Sequence, residues 1–174
     1  MDAIRTVIAS ALLALCVYAS AGAATQPWLV QIPQAQQVGE GVFKRLGWSI
    51  YTARLWAPDG IYAPGKPFAL SLTYEFDIAQ SRIVQASIDE MERLGAPVAD
   101  RPQWREALNA VIRDVGKSQS LAGVYMPGQG ALFYYNDVQT GRLDEELAQH
   151  FFGIWLDPRT SEPALRTALL GKPP

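Results

Sequence analysis

Residues 143–171, LDEELAQHFFGIWLDPRTSEPALRTALLG, read as a helix, a break and a second helix. Asp144 is placed to cap the first helix, and Leu147, Phe151, Ile154 and Trp155 recur on one face at helical spacing. Asp157-Pro158 ends that helix, because a residue before proline disfavours the α region. Ser161 is a candidate cap for the second helix, with Glu162 and Pro163 suited to its first turn. Leu165, Leu169 and Leu170 form its apolar stripe, and Gly171 sits where a helix terminator belongs. Two amphipathic helices so close together need an apolar surface to cover.

The residues upstream supply that surface as strands. Residues 49–56 (SIYTARLW) are rich in β-branched and aromatic side chains. Alternation puts Tyr51, Ala53 and Leu55 on one face and Ile50, Thr52, Arg54 and Trp56 on the other. Residues 68–74 (FALSLTY) alternate cleanly, with Phe68, Leu70, Leu72 and Tyr74 pointing one way, and predict a half-buried strand. Asp77 is a candidate cap for a helix running to about residue 94, striped by Val84, Ile88, Met91 and Leu94 and closed by Gly95. A second helix is expected from Asp100 or Pro102 to about Val115, with Trp104, Leu108, Val111 and Val115 inward. Residues 121–126 and 131–136 predict a hairpin around Pro127-Gly128-Gln129-Gly130. Arg142-Leu143 adds a short strand, and residues 28–32 of the proline-bearing lead-in suggest an edge strand. Strands with segregated helices imply an α+β fold, an antiparallel sheet with helices on one face.

The N-terminus reads as targeting. Residues 1–5 carry one basic residue, residues 6–20 are apolar, and Ala21-Gly22-Ala23-Ala24 offers small residues for cleavage after Ala23 or Ala24. The run is short for a membrane span. A lipoprotein reading centred on Cys16 meets the bulky Leu15 where a small residue is wanted. The expected organisation is a signal segment over 1–24, an extended lead-in over 25–38 and one domain over 39–174, in a periplasmic or secreted protein. Cys16 is the single cysteine, so the processed chain is expected to lack disulfides, thiolate metal sites and cysteine nucleophiles. The remaining residues, roughly 150, suffice for one core. With a net charge of −2 and no basic run, nucleic acid is not an expected partner.

Four segments occur in an order that resembles the chalcone isomerase-like family, in its bacterial, signal-bearing branch. They are GVFKRLGWSIYTARLW (41–56), FALSLTYEFDIAQSRIVQASIDEMERLG (68–95), SLAGVYMPGQGALFYYND (120–137) and HFFGIWLDPRTSEPALRTALLG (150–171). The resemblance spans about residues 39–171. It implies an open-faced β-sandwich, a large antiparallel sheet backed by a helix layer, with a ligand cleft between them. Members of the family close a chalcone ring, bind fatty acids without chemistry, or bind haem. Ring closure needs a guanidinium to stabilise the developing oxyanion. The resemblance places that arginine after a Gly-Val pair, where this chain has Phe43, with Lys44 and Arg45 only nearby. The family's strand threonine falls at Tyr51 or Thr52, and a one-residue slip would move that side chain to the other face. The family's late hydroxyl falls near Gly153. These departures favour a non-catalytic binder of a small apolar or amphipathic molecule, such as a fatty acid, over an enone isomerase (an intramolecular lyase). No catalytic residue and no cofactor are assigned.

The candidate ligand-binding residues are Arg54, Tyr74, Tyr51 and Thr52. If the second face of its strand lines a cleft, Arg54 can take a carboxylate bidentately; otherwise it is a snorkelling surface residue. Tyr74 places its hydroxyl at a cleft rim or packs in the core. Arg82 lies off the main stripe of its helix and reads as exposed, with a position facing the cleft as the lesser alternative. His150, the sole histidine, sits beside Phe151 and Phe152. It is either a haem ligand needing a pocket or a packing residue at the border of the apolar stripe. Asp89, Glu90 and Glu92, like Asp144, Glu145 and Glu146, read as solvated helix faces. One His and no retained Cys leave no structural zinc set.

Overall fold

The computed structural model describes residues 26–171, so the expected signal segment over 1–24 lies outside the described residues. Six strands form one sheet: β1 (Ala35–Arg45), β2 (Trp48–Pro58), β3 (Phe68–Tyr74), β4 (Ser120–Met126), β5 (Gly130–Tyr135) and β6 (Val138–Leu143). They lie in sequence order, each antiparallel to its neighbour. Helices α1 (Gln80–Arg93) and α2 (Gln103–Val111) are inserted between β3 and β4, and α3 (Glu145–Leu156) and α4 (Pro163–Leu169) follow β6. The apolar sides of all four helices pack with one sheet face in a single core that includes Leu55, Leu70, Met91, Leu108, Phe151 and Leu169. The α+β open-faced sandwich is thus the observed architecture.

The stripes predicted for α1 and α3 are the buried ones except for Ile154, which is half-buried, and Asp144 caps α3 by accepting from Leu147 N at 2.8 Å. Glu145 is not a free surface carboxylate. It accepts from the Tyr125 hydroxyl (2.5 Å) and from Gly130 N (2.9 Å), tying α3 to the β4–β5 hairpin. These bonds, that of Tyr125 first, hold its carboxyl below the usual range.

Several boundaries differ from expectation for nonlocal reasons. Asp77 does not cap α1. The Gln80 backbone donates instead to Asp114 Oδ1 at 2.7 Å, and its side chain donates to the Asn109 and Ile112 carbonyls, fastening the start of α1 to the end of α2. Accordingly α2 stops at Val111, and Val115 forms an antiparallel bridge with Ile78. Ser161 does not cap α4. Glu162 holds that position, and the Ser161 hydroxyl donates to Glu90 Oε1 at 3.0 Å.

The lead-in also departs from an edge strand. Pro27–Gln31 is a 3₁₀ turn, with proline at its start where the missing N–H costs nothing. Trp28, 2% exposed, and Ile32 cover Ala69, Ala122, Val124 and Tyr134 on the sheet face opposite the helices. The Trp28 indole donates to Asp137 Oδ1 at 2.9 Å. Hence β3 is buried on both faces rather than one.

β1 is an edge strand whose glycines admit α4. A Cβ on Gly39 would collide with the Ala168 carbonyl and lie 2.6 Å from the Leu169 carbonyl oxygen; one on Gly41 would meet the Leu165 side chain at 2.6 Å. Backbone yields less than a methyl group. Gly39→Ala should therefore cost about 1–3 kcal/mol of stability, seen as a lower urea midpoint, and more than Gly41→Ala. Equal, negligible shifts would contradict this packing.

Candidate functional site

Between the sheet and the helices lies a cavity of about 280 Å³. Its floor begins with an aromatic ladder across three strands. Phe43 pairs with Tyr51, and Tyr51 with Tyr74. Phe43 stacks on Tyr51 with ring centroids 5.0 Å apart, and Tyr51 meets Tyr74 edge-on at 5.6 Å. This ladder follows from the pleat, which sends alternate residues of each strand to the same face. Leu70, Leu72, Leu121 and Phe133 continue the floor, while Ile83 and Ser87 of α1, Phe151, Phe152 and Trp155 of α3, and Leu165 of α4 close it from above.

Gly123 sets the inner end. A Cβ there would lie 2.8 Å from Phe152 Cζ, so the missing side chain lets the Phe152 ring settle against β4. The outer end opens between the end of the β1–β2 hairpin and α1, where Arg45, Arg82 and Ala86 are exposed and line the space. Neither arginine has an ion-pair partner among the described residues. Glu162 also reaches the mouth, whereas Glu90 is committed to Arg93 (2.7 Å) and Ser161. Arg93 is the main cause of the lowered Glu90 pKa.

The two buried phenols are neutral. The Tyr51 hydroxyl accepts from Trp155 Nε1 at 3.0 Å. Burial pushes its pKa well above the usual phenol value, and the Trp155 bond offsets only part of that. Tyr74 is raised as well, by burial first and by the neighbouring Tyr51 second. Its hydroxyl makes no hydrogen bond among the described residues, and the residue lines the cavity. The cavity thus offers apolar surface and two phenol hydroxyls inside, and at its mouth the exposed Arg45 and Arg82 together with the Glu162 carboxylate.

Tyr51 and Tyr74 are brought together in the cavity wall. Arg54 and Thr52 are not, because alternation carries them to the opposite sheet face. There Arg54 donates through Nε to Glu40 Oε2 at 2.6 Å, its cross-strand partner on β1. Thr52 borders a shallow groove with Val42, Trp48 and Phe76. Arg82, read as exposed, is exposed and lines the mouth. Phe43, Trp155 and Glu162 were missed; a signal for Phe43 lay in its alternation with Gly41 and Arg45. His150 packs at a tilt against Trp104 of α2 with ring centroids 5.3 Å apart and does not line the cavity. Neither does Gly153, although its neighbours Phe152 and Ile154 do.

The fold and its inter-layer cavity define a class, the open-faced sandwich with a sheet–helix cleft. Residues 39–171 match the sequence profile described as chalcone isomerase-like. The chain belongs to the chalcone isomerase-like family. It is 28% identical over 138 residues to an uncharacterized protein of Haemophilus influenzae, covering 79% of this chain and 68% of the other. Among solved structures, a fatty-acid binding protein of Arabidopsis thaliana superposes with a TM-score of 0.62 at 9% identity, covering 79% of this chain and 87% of that one. At that identity the likeness speaks for the fold.

The phenols make a pH prediction. Both are raised from 10.0 in the folded protein. Below that pH both states are protonated and the tyrosines add no pH dependence. Above it the unfolded phenols ionise while the folded ones stay neutral, so the unfolded state binds fewer protons and stability falls as pH rises. Each tyrosine contributes a slope of up to about 1.4 kcal/mol per pH unit. Urea unfolding at about pH 9 and about pH 11 should show this loss, and Tyr74→Phe should flatten it. An unchanged slope in the variant would place the Tyr74 hydroxyl in solvent.

Proposed function

We propose that the protein binds a single-chain amphipathic molecule, such as a fatty acid, in the sheet–helix cleft and performs no chemistry on it. The observation that carries this reading is the division of the cavity. Its interior is apolar apart from the Tyr51, Tyr74 and Ser87 hydroxyls, and at its mouth two guanidinium groups without an ion-pair partner among the described residues stand with the Glu162 carboxylate. A volume of about 280 Å³ is at the small end of ligand pockets, which run from about 300 to 1,000 Å³, and suits one acyl chain. The carboxylate would lie at Arg82 and Arg45, where charge-assisted hydrogen bonds remain hydrated at one side. The fatty-acid binding role of the Arabidopsis neighbour supports the same ligand class.

Two features weigh against ring closure. Phe43 stands where the resemblance expects the oxyanion-stabilising arginine, and it is stacked on Tyr51 inside the cavity. Gly153 carries no hydroxyl and lies off the cavity. The location we propose is periplasmic or extracellular. Its support is the apolar run over 6–20, the small residues before position 25 and a remaining chain without cysteine.

Displacement of a fluorescent fatty acid tests the reading. Ala86→Trp plugs the mouth from an exposed helix position and should weaken uptake at least about tenfold, or about 1.4 kcal/mol. Arg82→Ala should weaken binding of a free fatty acid by about tenfold and leave its methyl ester unaffected. Native mass spectra that stay empty after fatty-acid incubation, with no displacement by the wild type, would overturn it.

A further inference from the structure

The β1–β2 hairpin breaks a local rule at its tip. Leu46 and Gly47 form a two-residue turn with φ of 50° and 83°, the geometry of a type I′ hairpin. The first position of such a turn favours Asn, Asp or Gly, since a side chain in the left-handed region is strained. A leucine stands there, 93% exposed. Neither turn chemistry nor packing within the chain accounts for it, and a rule broken without internal gain points to a functional surface.

The leucine has apolar neighbours. Trp48 is 66% exposed, Val42 44% and Phe76 42%. Trp48 meets Phe76 edge-on at 6.1 Å, and both border the shallow groove with Val42, Thr52, Glu75 and Lys117. Scattered single apolar residues are ordinary on a surface, but a cluster with an exposed Trp is not. Lys44 and Arg45 precede the tip and are exposed, as is Lys117 beside the groove. Glu75 and Asp77 are the acidic residues of the adjoining turn. The tip therefore carries an excess of positive charge on a chain of net charge −2.

We propose that this hairpin tip docks the protein on an anionic lipid surface, with Leu46 and Trp48 entering the interface and Lys44, Arg45 and Lys117 meeting the headgroups. The combination of an apolar wedge, an interfacial Trp and flanking basic residues fits a bilayer surface better than a protein partner. The tip is also continuous with the cavity. Phe43 and Arg45 line the cavity mouth, and the turn begins at the next residue. Docking would bring that mouth to the membrane, a consequence that rests on the amphiphile-binding reading, whereas docking itself does not.

Co-sedimentation of the full processed chain with vesicles of phosphatidylethanolamine and phosphatidylglycerol, against vesicles of phosphatidylcholine alone, tests this. Leu46→Asn suits the left-handed turn position, so the variant keeps its fold. We expect it to lose vesicle binding at least about tenfold while its fatty-acid uptake from solution is unchanged. Lys44→Gln with Arg45→Gln should reduce binding to the anionic vesicles and flatten its salt dependence. Ala86→Trp should still bind vesicles, which separates failure of docking from failure of the ligand reading. The proposal is overturned if the wild type does not sediment with anionic vesicles, or if Leu46→Asn binds them as well as the wild type. Concentration-dependent dimerisation of the wild type that Leu46→Asn abolishes, without vesicle binding, would also overturn it by assigning the patch to a second copy.

Discussion

At Gly123 the sheet and the helix layer touch. The Phe152 ring occupies the space a side chain would fill, and it packs edge-on against Phe68 at 4.9 Å and beside Phe133 at 6.2 Å. This contact seats α3 on β4 and β5. Close-packed interiors tolerate little adjustment at such a point. At β1 the layers meet again, where α4 packs against Gly39 and Gly41; between the two contacts the stacked rings of Phe43 and Tyr51 lie below Trp155, and the Tyr51–Trp155 hydrogen bond bridges the layers. The cavity is the wedge of space left between these two close contacts, spaced by the aromatic rings.

The same wedge determines which polar groups remain usable. Deep phenols are neutral because burial makes their ionised forms costly. Charged groups are confined to the rim, where water still reaches them. Such a space suits a molecule with one apolar part and one charged end. The mouth lies beside the exposed hairpin tip, so the two surfaces share one end of the molecule.

Much of this was legible in the sequence. The α1 stripe, the alternation of β3, the β4–β5 hairpin and the Asp144 cap are local patterns, and each is present. β1 was not legible, because AQQVGEGVFKR is polar and glycine-bearing and takes its register from β2 through the turn. The Asp114 cap on α1 and the cover by Trp28 join residues far apart in the chain, which periodicity does not report. Alternation separated Tyr51 from Arg54 correctly. Which of those faces the helices would cover depends on tertiary packing, so Arg54 was a candidate and Arg82 was read first as surface, with the cleft as the lesser alternative.

The central claim is that the wedge holds an apolar chain. Anomalous diffraction from crystals grown with a terminally brominated fatty acid tests it most directly. The account predicts a bromine peak deep in the cavity, near Gly123, Phe133 and Phe152, with the carboxylate toward Arg82 and Arg45. A peak on the outer sheet face beside Arg54, or a cavity without bromine in crystals saturated with the acid, would contradict it.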